Sequence, residues 1–202
     1  HPDETLLIVA LGLGLRRGEL LALRWQDIDV EQGTLAVRRT IRLGSQNEDA
    51  EAEPKTGQRD IVLPTFLIAV LQQHRIRQDS ARQAVGSTWQ ERDLVFANPT
   101  GGFLDPTHLT RVVREVASQA GVPSLSFHTL RQTTMFMLSS LGVPLQVIQD
   151  ILGVRQSSGP LISSESALRT AYRDAAAKLD ALVRTLLPAA AFPPTSDVSQ
   201  DE

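Results

Sequence analysis

Two short β-branched stretches interrupt a sequence that otherwise reads as helix, and that imbalance sets the architecture. Residues 34–43 (TLAVRRTIRL) are rich in valine, isoleucine and threonine and roughly alternate apolar with polar side chains. Alternate side chains of an extended chain fall on opposite faces, so this pattern predicts a strand. Residues 59–63 (RDIVL) predict a second strand, ended by Pro64, which has no N–H to give a ladder. The two are expected to pair as a small antiparallel sheet.

The remaining segments carry helical signals. Residues 4–13 are continuously apolar, as in a buried helix, and Gly14 breaks them. Residues 19–25 predict a short helix that leaves through a turn at 26–29. Residues 65–83 place Phe66, Leu67, Val70 and Leu71 on one helix face. A loop at 84–92, a short buried run at 94–96 and a turn at 98–102 follow. Asp105 and Pro106 supply an N-cap and a proline at the first helical position, opening a helix that Gly121 and Pro123 stop. Residues 129–141, 145–152 and 167–186 predict three more helices. The expected fold class is mainly α with a small antiparallel β-sheet (α+β), a helical bundle carrying a sheet. Residues 1–187 form the expected domain. Residues 188–202, rich in proline, serine and acids, form an expected disordered tail.

Composition removes several function classes. There is no cysteine, which excludes disulfides and thiol chemistry. No window is apolar enough to span a bilayer, and the polar, acidic start lacks a basic leader, so a cytoplasmic protein is expected. The net charge of −3 argues against a protein that coats nucleic acid without selectivity. Among the basic residues only Lys55 and Lys178 are lysines. That fits guanidinium forks on phosphate or carboxylate, and equally an arginine-rich genome.

Four local motifs stand out: residues 14–25 (GLRRGELLALRW), Pro54-Lys55-Thr56 leading into 59–64 (RDIVLP), 128–131 (HTLR), and 141–144 (LGVP) with Leu152-Gly153. Arg16 lies between a glycine and a helix start, where the helix dipole disfavours a cation. Glu19 or a bound phosphate would compensate it. Lys55 alone reads as a solvated charge. His128 and Arg131, three residues apart, share a helix face and read as structural or catalytic. Taken together, two arginines, a lysine and a histidine meet the needs of phosphodiester cleavage without a metal. They offer cations for the nonbridging oxygens and groups for proton transfer. The acidic residues 48–53 beside Lys55 are expected to be solvated.

In this order, the motifs resemble the catalytic domain of the tyrosine recombinases, the phage integrase type, from about Leu11 to Leu186. The resemblance implies that Arg16 and Arg131 clamp the scissile phosphate, that Lys55 is general acid for the leaving oxygen, and that His128 transfers a proton. Trp25, Asp27 and Glu19 would brace the Arg16 loop. Duplex DNA is the implied partner, with a further DNA-binding domain completing the clamp, self-association on DNA through the C-terminal helix, and no cofactor or metal. The chain departs from the pattern twice. Val154 stands where the family has a histidine, and loss of one such donor costs roughly 10²–10³ in rate. Ser164 stands where the count reaches the nucleophilic tyrosine, and its hydroxyl is shorter and less acidic than a phenol. The one tyrosine, Tyr172, is the remaining candidate nucleophile, or packs the last helix onto the body. A non-catalytic descendant that binds DNA or a partner is the alternative.

Overall fold

The computed structural model describes residues 3–42, 51–122, 125–154, 162 and 164–186. Residues 188–202, the expected tail, lie outside them. Seven helices, α1 (Glu4–Leu13), α2 (Arg17–Leu21), α3 (Thr65–Val85), α4 (Pro106–Gln119), α5 (Phe127–Ser140), α6 (Leu145–Leu152) and α7 (Glu165–Leu186), are seen among these residues. Five short strands join them, β1 (Ile28–Asp29), β2 (Thr34–Val37), β3 (Thr40–Ile41), β4 (Glu51–Ala52) and β5 (Arg59–Val62). The expected class, mainly helical with small antiparallel sheets, is what forms.

The apolar α1 is covered by α3 and α5, which explains why its sequence shows no polar face. Leu6, Val9 and Leu13 from α1 join Leu67, Leu109, Leu138 and Ile148 in one continuous core. The helix ends follow local chemistry. Asp105 accepts from Thr107 N at 2.8 Å to cap α4, and Ser126 accepts from Thr129 N at 3.1 Å to cap α5. Gly14 closes α1 in the left-handed region at φ 59°.

The expected pairing is present: β2 and β5 are antiparallel, with Leu35 opposite Ile61, and β1 adds an outer strand to β2. The strand expected over 34–43 is, however, divided. It yields β2, then Arg38 and Arg39, then β3, which pairs with β4 in a separate ribbon. The two arginines turn to acids on different elements. Arg38 pairs with Asp60 at 2.6 Å, while Arg39 reaches both oxygens of Asp27 at 2.8 and 2.9 Å. The helix expected over 19–25 is likewise divided. α2 ends at Leu21, and Trp25–Asp27 form a 3-10 turn in which Arg24 N donates to Asp27 at 3.1 Å. Glu51, expected to be solvated, is half-buried and accepts from Arg24 at 2.7 Å.

α7 packs on α3, α6 and β5. Its Asp180 accepts from the first two backbone N–H groups of α3, Thr65 at 2.7 Å and Phe66 at 2.9 Å. Leu179 is buried, whereas Leu186 is 67% exposed. Replacing Asp180 by alanine leaves the start of α3 without those acceptors and should cost about 1–2 kcal/mol. The urea midpoint should fall at an unchanged slope.

Candidate active site

The first expected site residue, Arg16, ends the loop between α1 and α2. Its backbone N donates to Glu19 Oε2 at 3.0 Å and its Nη1 to Glu19 Oε1 at 3.1 Å. Glu19 is 2% exposed. The same carboxylate takes the fork of Arg59, with Nη2 at 2.8 Å and Nη1 at 3.1 Å. The ion pair with Glu19, one of the two partners the sequence left open for Arg16, therefore exists, but Glu19 is shared and does not neutralise Arg16 alone.

Arg131, from the second turn of α5, joins them through the backbone. Its Nη1 donates to Gly14 O at 2.6 Å and its Nη2 donates to Leu152 O. Arg16 Nη2 donates to the next carbonyl, Gly153 O, at 2.5 Å. The end of α6 thus holds both arginines with successive carbonyls, and Arg59 Nε adds a bond to Ile151 O at 3.0 Å. Thr56, in the turn before β5, accepts from Arg16 Nη1 at 3.1 Å and docks that turn onto the cluster.

Gly153 permits this arrangement. It is left-handed at φ 59°, and a Cβ there would stand 2.7 Å from Arg59 Nη1 and 2.8 Å from Thr56 Oγ1. Any side chain would push both partners away.

Three guanidiniums around one carboxylate leave an excess of positive charge. Arg131 records it. Burial, then the neighbouring charge of Arg16, lowers its pKa to about 10, and Arg59 adds to the effect while Glu19 opposes it. Burial alone would raise the Glu19 carboxyl, but the Arg59 fork and charge and the Arg16 contacts outweigh it and hold it below its ordinary value. Among the described residues no cluster of histidine and carboxylate side chains could hold a metal.

The other expected site residues lie around this centre. Lys55 is exposed in the turn beside Thr56, and His128 is exposed one helical turn ahead of Arg131. No hydrogen bond joins either to the arginines among the described residues. A groove of about 810 Å³ runs from Thr56, Arg59 and Gly153 past Val154 to Tyr172 on α7. Tyr172 donates its hydroxyl to Asp150 at 3.0 Å. Burial, the Asp150 charge and that hydrogen bond all push the phenol above its usual pKa. Ser164 precedes α7 and its hydroxyl meets Ala167 N at 3.4 Å, a helix-capping role. Val154 is 42% exposed. Arg59, Thr56 and the carbonyls of residues 151–153 were not singled out as site groups from sequence. At the head of β5 Arg59 reads in sequence as an exposed charge, and only its shielding against Glu19 marks it as a site group.

Residues 1–158 match the model of the phage integrase family. The chain belongs to that family. This phage integrase relative is 34% identical over 166 residues to a XerC-like tyrosine recombinase of Caldanaerobacter subterraneus subsp. tengcongensis, covering 76% of this chain and 42% of that protein. It is 32% identical over 171 residues to an integrase of Streptomyces ambofaciens, covering 79% and 42%. The chain spans less than half the length of these curated relatives. Among solved structures, its fold is similar to the Tn1549 transposon integrase in complex with transposon right end DNA. That match has a TM-score of 0.64 and 17% identity, over 84% of this chain and 58% of that one. The XerA recombinase gives 0.58 and 20% identity, over 93% and 58%. Among the described residues no helix is long and apolar enough to cross a membrane.

Two outcomes follow for the integrase fold. Gly153→Ala should cost about 1–2 kcal/mol from the left-handed backbone alone. Val154→Ala, one residue on but exposed, should stay within about 0.5 kcal/mol; denaturant titration compares the pair. Glu19 has a folded pKa below its unfolded value, so its contribution is present above pH 4.5 and drains as pH falls through the folded value. Glu19→Gln should start less stable and lose stability less steeply between neutral and acid pH.

Proposed function

We propose that this chain is the phosphodiester-handling domain of a site-specific DNA recombinase, acting in the cytoplasm on duplex DNA. The observation that carries the reading is the meeting of Arg16 and Arg131 on the adjacent carbonyls of Gly153 and Leu152, with one buried carboxylate among three guanidiniums. Residues 1–187 are the unit to which the reading applies, and we assign part of the sequence choice to segments outside the chain.

In this reading Arg16 and Arg131 take the nonbridging oxygens of one phosphate, where charge builds as the phosphorus becomes five-coordinate. Lys55 protonates the leaving 5′ oxygen, and His128 carries a proton in the same exchange. The Tyr172 phenolate attacks phosphorus, forming a 3′-phosphotyrosine and releasing a 5′ hydroxyl; religation reverses both bonds. No metal or nucleotide takes part. Self-association on DNA through α7 belongs to the same reading, with the exposed Leu186 at its end.

Binding without cleavage is the second reading, and it has support of its own. The Tyr172 hydroxyl is committed to Asp150, and its surroundings oppose the ionisation that a nucleophile needs. Ser164 caps α7, and the Val154 side chain offers no donor.

A nicked duplex that traps covalent intermediates separates the two. Cleavage predicts a protein–DNA adduct that disappears in Tyr172→Phe. Binding alone predicts no adduct, with salt-dependent affinity that Arg16→Ala weakens, reducing the salt slope by about one. Arg16→Ala binding DNA as the parent does would remove both readings.

A further inference from the structure

Arg59 is largely shielded from solvent, charged and without a role in the chemistry above. Its side chain is 11% exposed and that of Glu19 1%. Both carboxylate oxygens receive its fork, while Arg16 gives Glu19 a single side-chain bond at 3.1 Å and is 35% exposed. Among the described residues Arg59 is therefore the closest and driest guanidinium on Glu19, and the one whose side chain reaches both oxygens. Its Nε bond to Ile151 O and its packing on the Cα side of Gly153 hold that fork in place.

We infer that Arg59 is a positioning residue for the phosphate grip: by taking the Glu19 carboxylate with both Nη groups, it leaves Arg16 charged and turned to the DNA. Without Arg59, Glu19 keeps Arg16 as its side-chain cation. A bidentate Arg16–Glu19 pair would then be the favoured arrangement, because a dry carboxylate lacking its partner is costly. The grip would lose one effective positive charge although neither Arg16 nor Arg131 had changed. The behaviour of Arg131 agrees with a shared field, since its proton affinity responds to Arg16, Glu19 and Arg59 together. The inference rests on the phosphate-binding reading of Arg16 and Arg131.

The test is a charge-balanced double substitution in the full chain. Binding of a short fluorescent duplex is followed by anisotropy over a range of salt concentrations. Arg59→Met should weaken binding about tenfold and lower the salt slope by about one. Arg59→Met combined with Glu19→Gln removes the carboxylate along with its partner, so binding should return to within about threefold of the parent and the slope should recover. Arg59→Lys, which keeps the charge and loses the fork, should stay within about threefold. A double variant as weak as Arg59→Met would overturn the inference, and so would Arg59→Lys matching Arg59→Met, because either result makes the role one of shape. If Arg59→Met alone does not fold, as circular dichroism would show, either the double variant or Arg59→Lys binding more than about threefold more weakly than the parent overturns the inference. Arg16→Ala read on the same duplex keeps the two ideas apart. Loss with Arg16→Ala and none with Arg59→Met rejects this inference while the phosphate-binding reading stands.

Discussion

A single buried carboxylate organises the molecule. Glu19 closes the first turn of α2 through the Arg16 backbone N–H, and from the same place it binds the guanidinium of Arg16 and that of Arg59 on β5. Strand β5 enters through Arg59, and α6 is bound in turn because Arg59 also meets Ile151 O. A dry anion in the interior is tolerable only when its partners are present and well oriented. Through these bonds the start of α2, strand β5 and, by way of Arg59, the end of α6 are tied together. Apolar packing supplies the bulk of the stability.

The second organising element is main-chain polarity. The last carbonyls of a helix have no partner within it and carry the negative end of its dipole. Here the end of α6 meets three guanidiniums through Ile151, Leu152 and Gly153. The left-handed turn at Gly153 lets Arg59 and Thr56 approach the backbone. The arginines keep their charge, since a carbonyl accepts a hydrogen bond without neutralising its donor. This is how a chain with an overall charge of −3 maintains a strongly positive point.

The sequence disclosed much of this, unevenly. Helix identities were readable from apolar periodicity and from the cap at Asp105, which acts locally, whereas the helix expected from Thr129 begins at Phe127 under the Ser126 cap. The pairing of residues 34–37 with 59–62 was readable because both runs alternate. The division of the longer strand at Arg38 and Arg39 was not, since Asp60 and Asp27, the acids that draw them aside, are distant in sequence or on another element. At the site, Arg16 and Arg131 could be nominated from motifs. Arg59 was hidden because a strand-opening arginine looks like an exposed charge until its burial is known. The carbonyl ligands were invisible in principle, as every residue possesses one.

That the arginines are anchored to peptide oxygens has an evolutionary corollary. Peptide oxygens persist through any substitution that preserves the chain's path, so genetic drift at neighbouring positions can replace functional side chains without dislodging the cations. Val154 and Ser164 lie within ten or so residues of those anchors, and the electropositive centre remains assembled beside them. A cation held by peptide oxygens therefore tolerates a change of neighbouring side chain that would dismantle one held by side-chain partners alone.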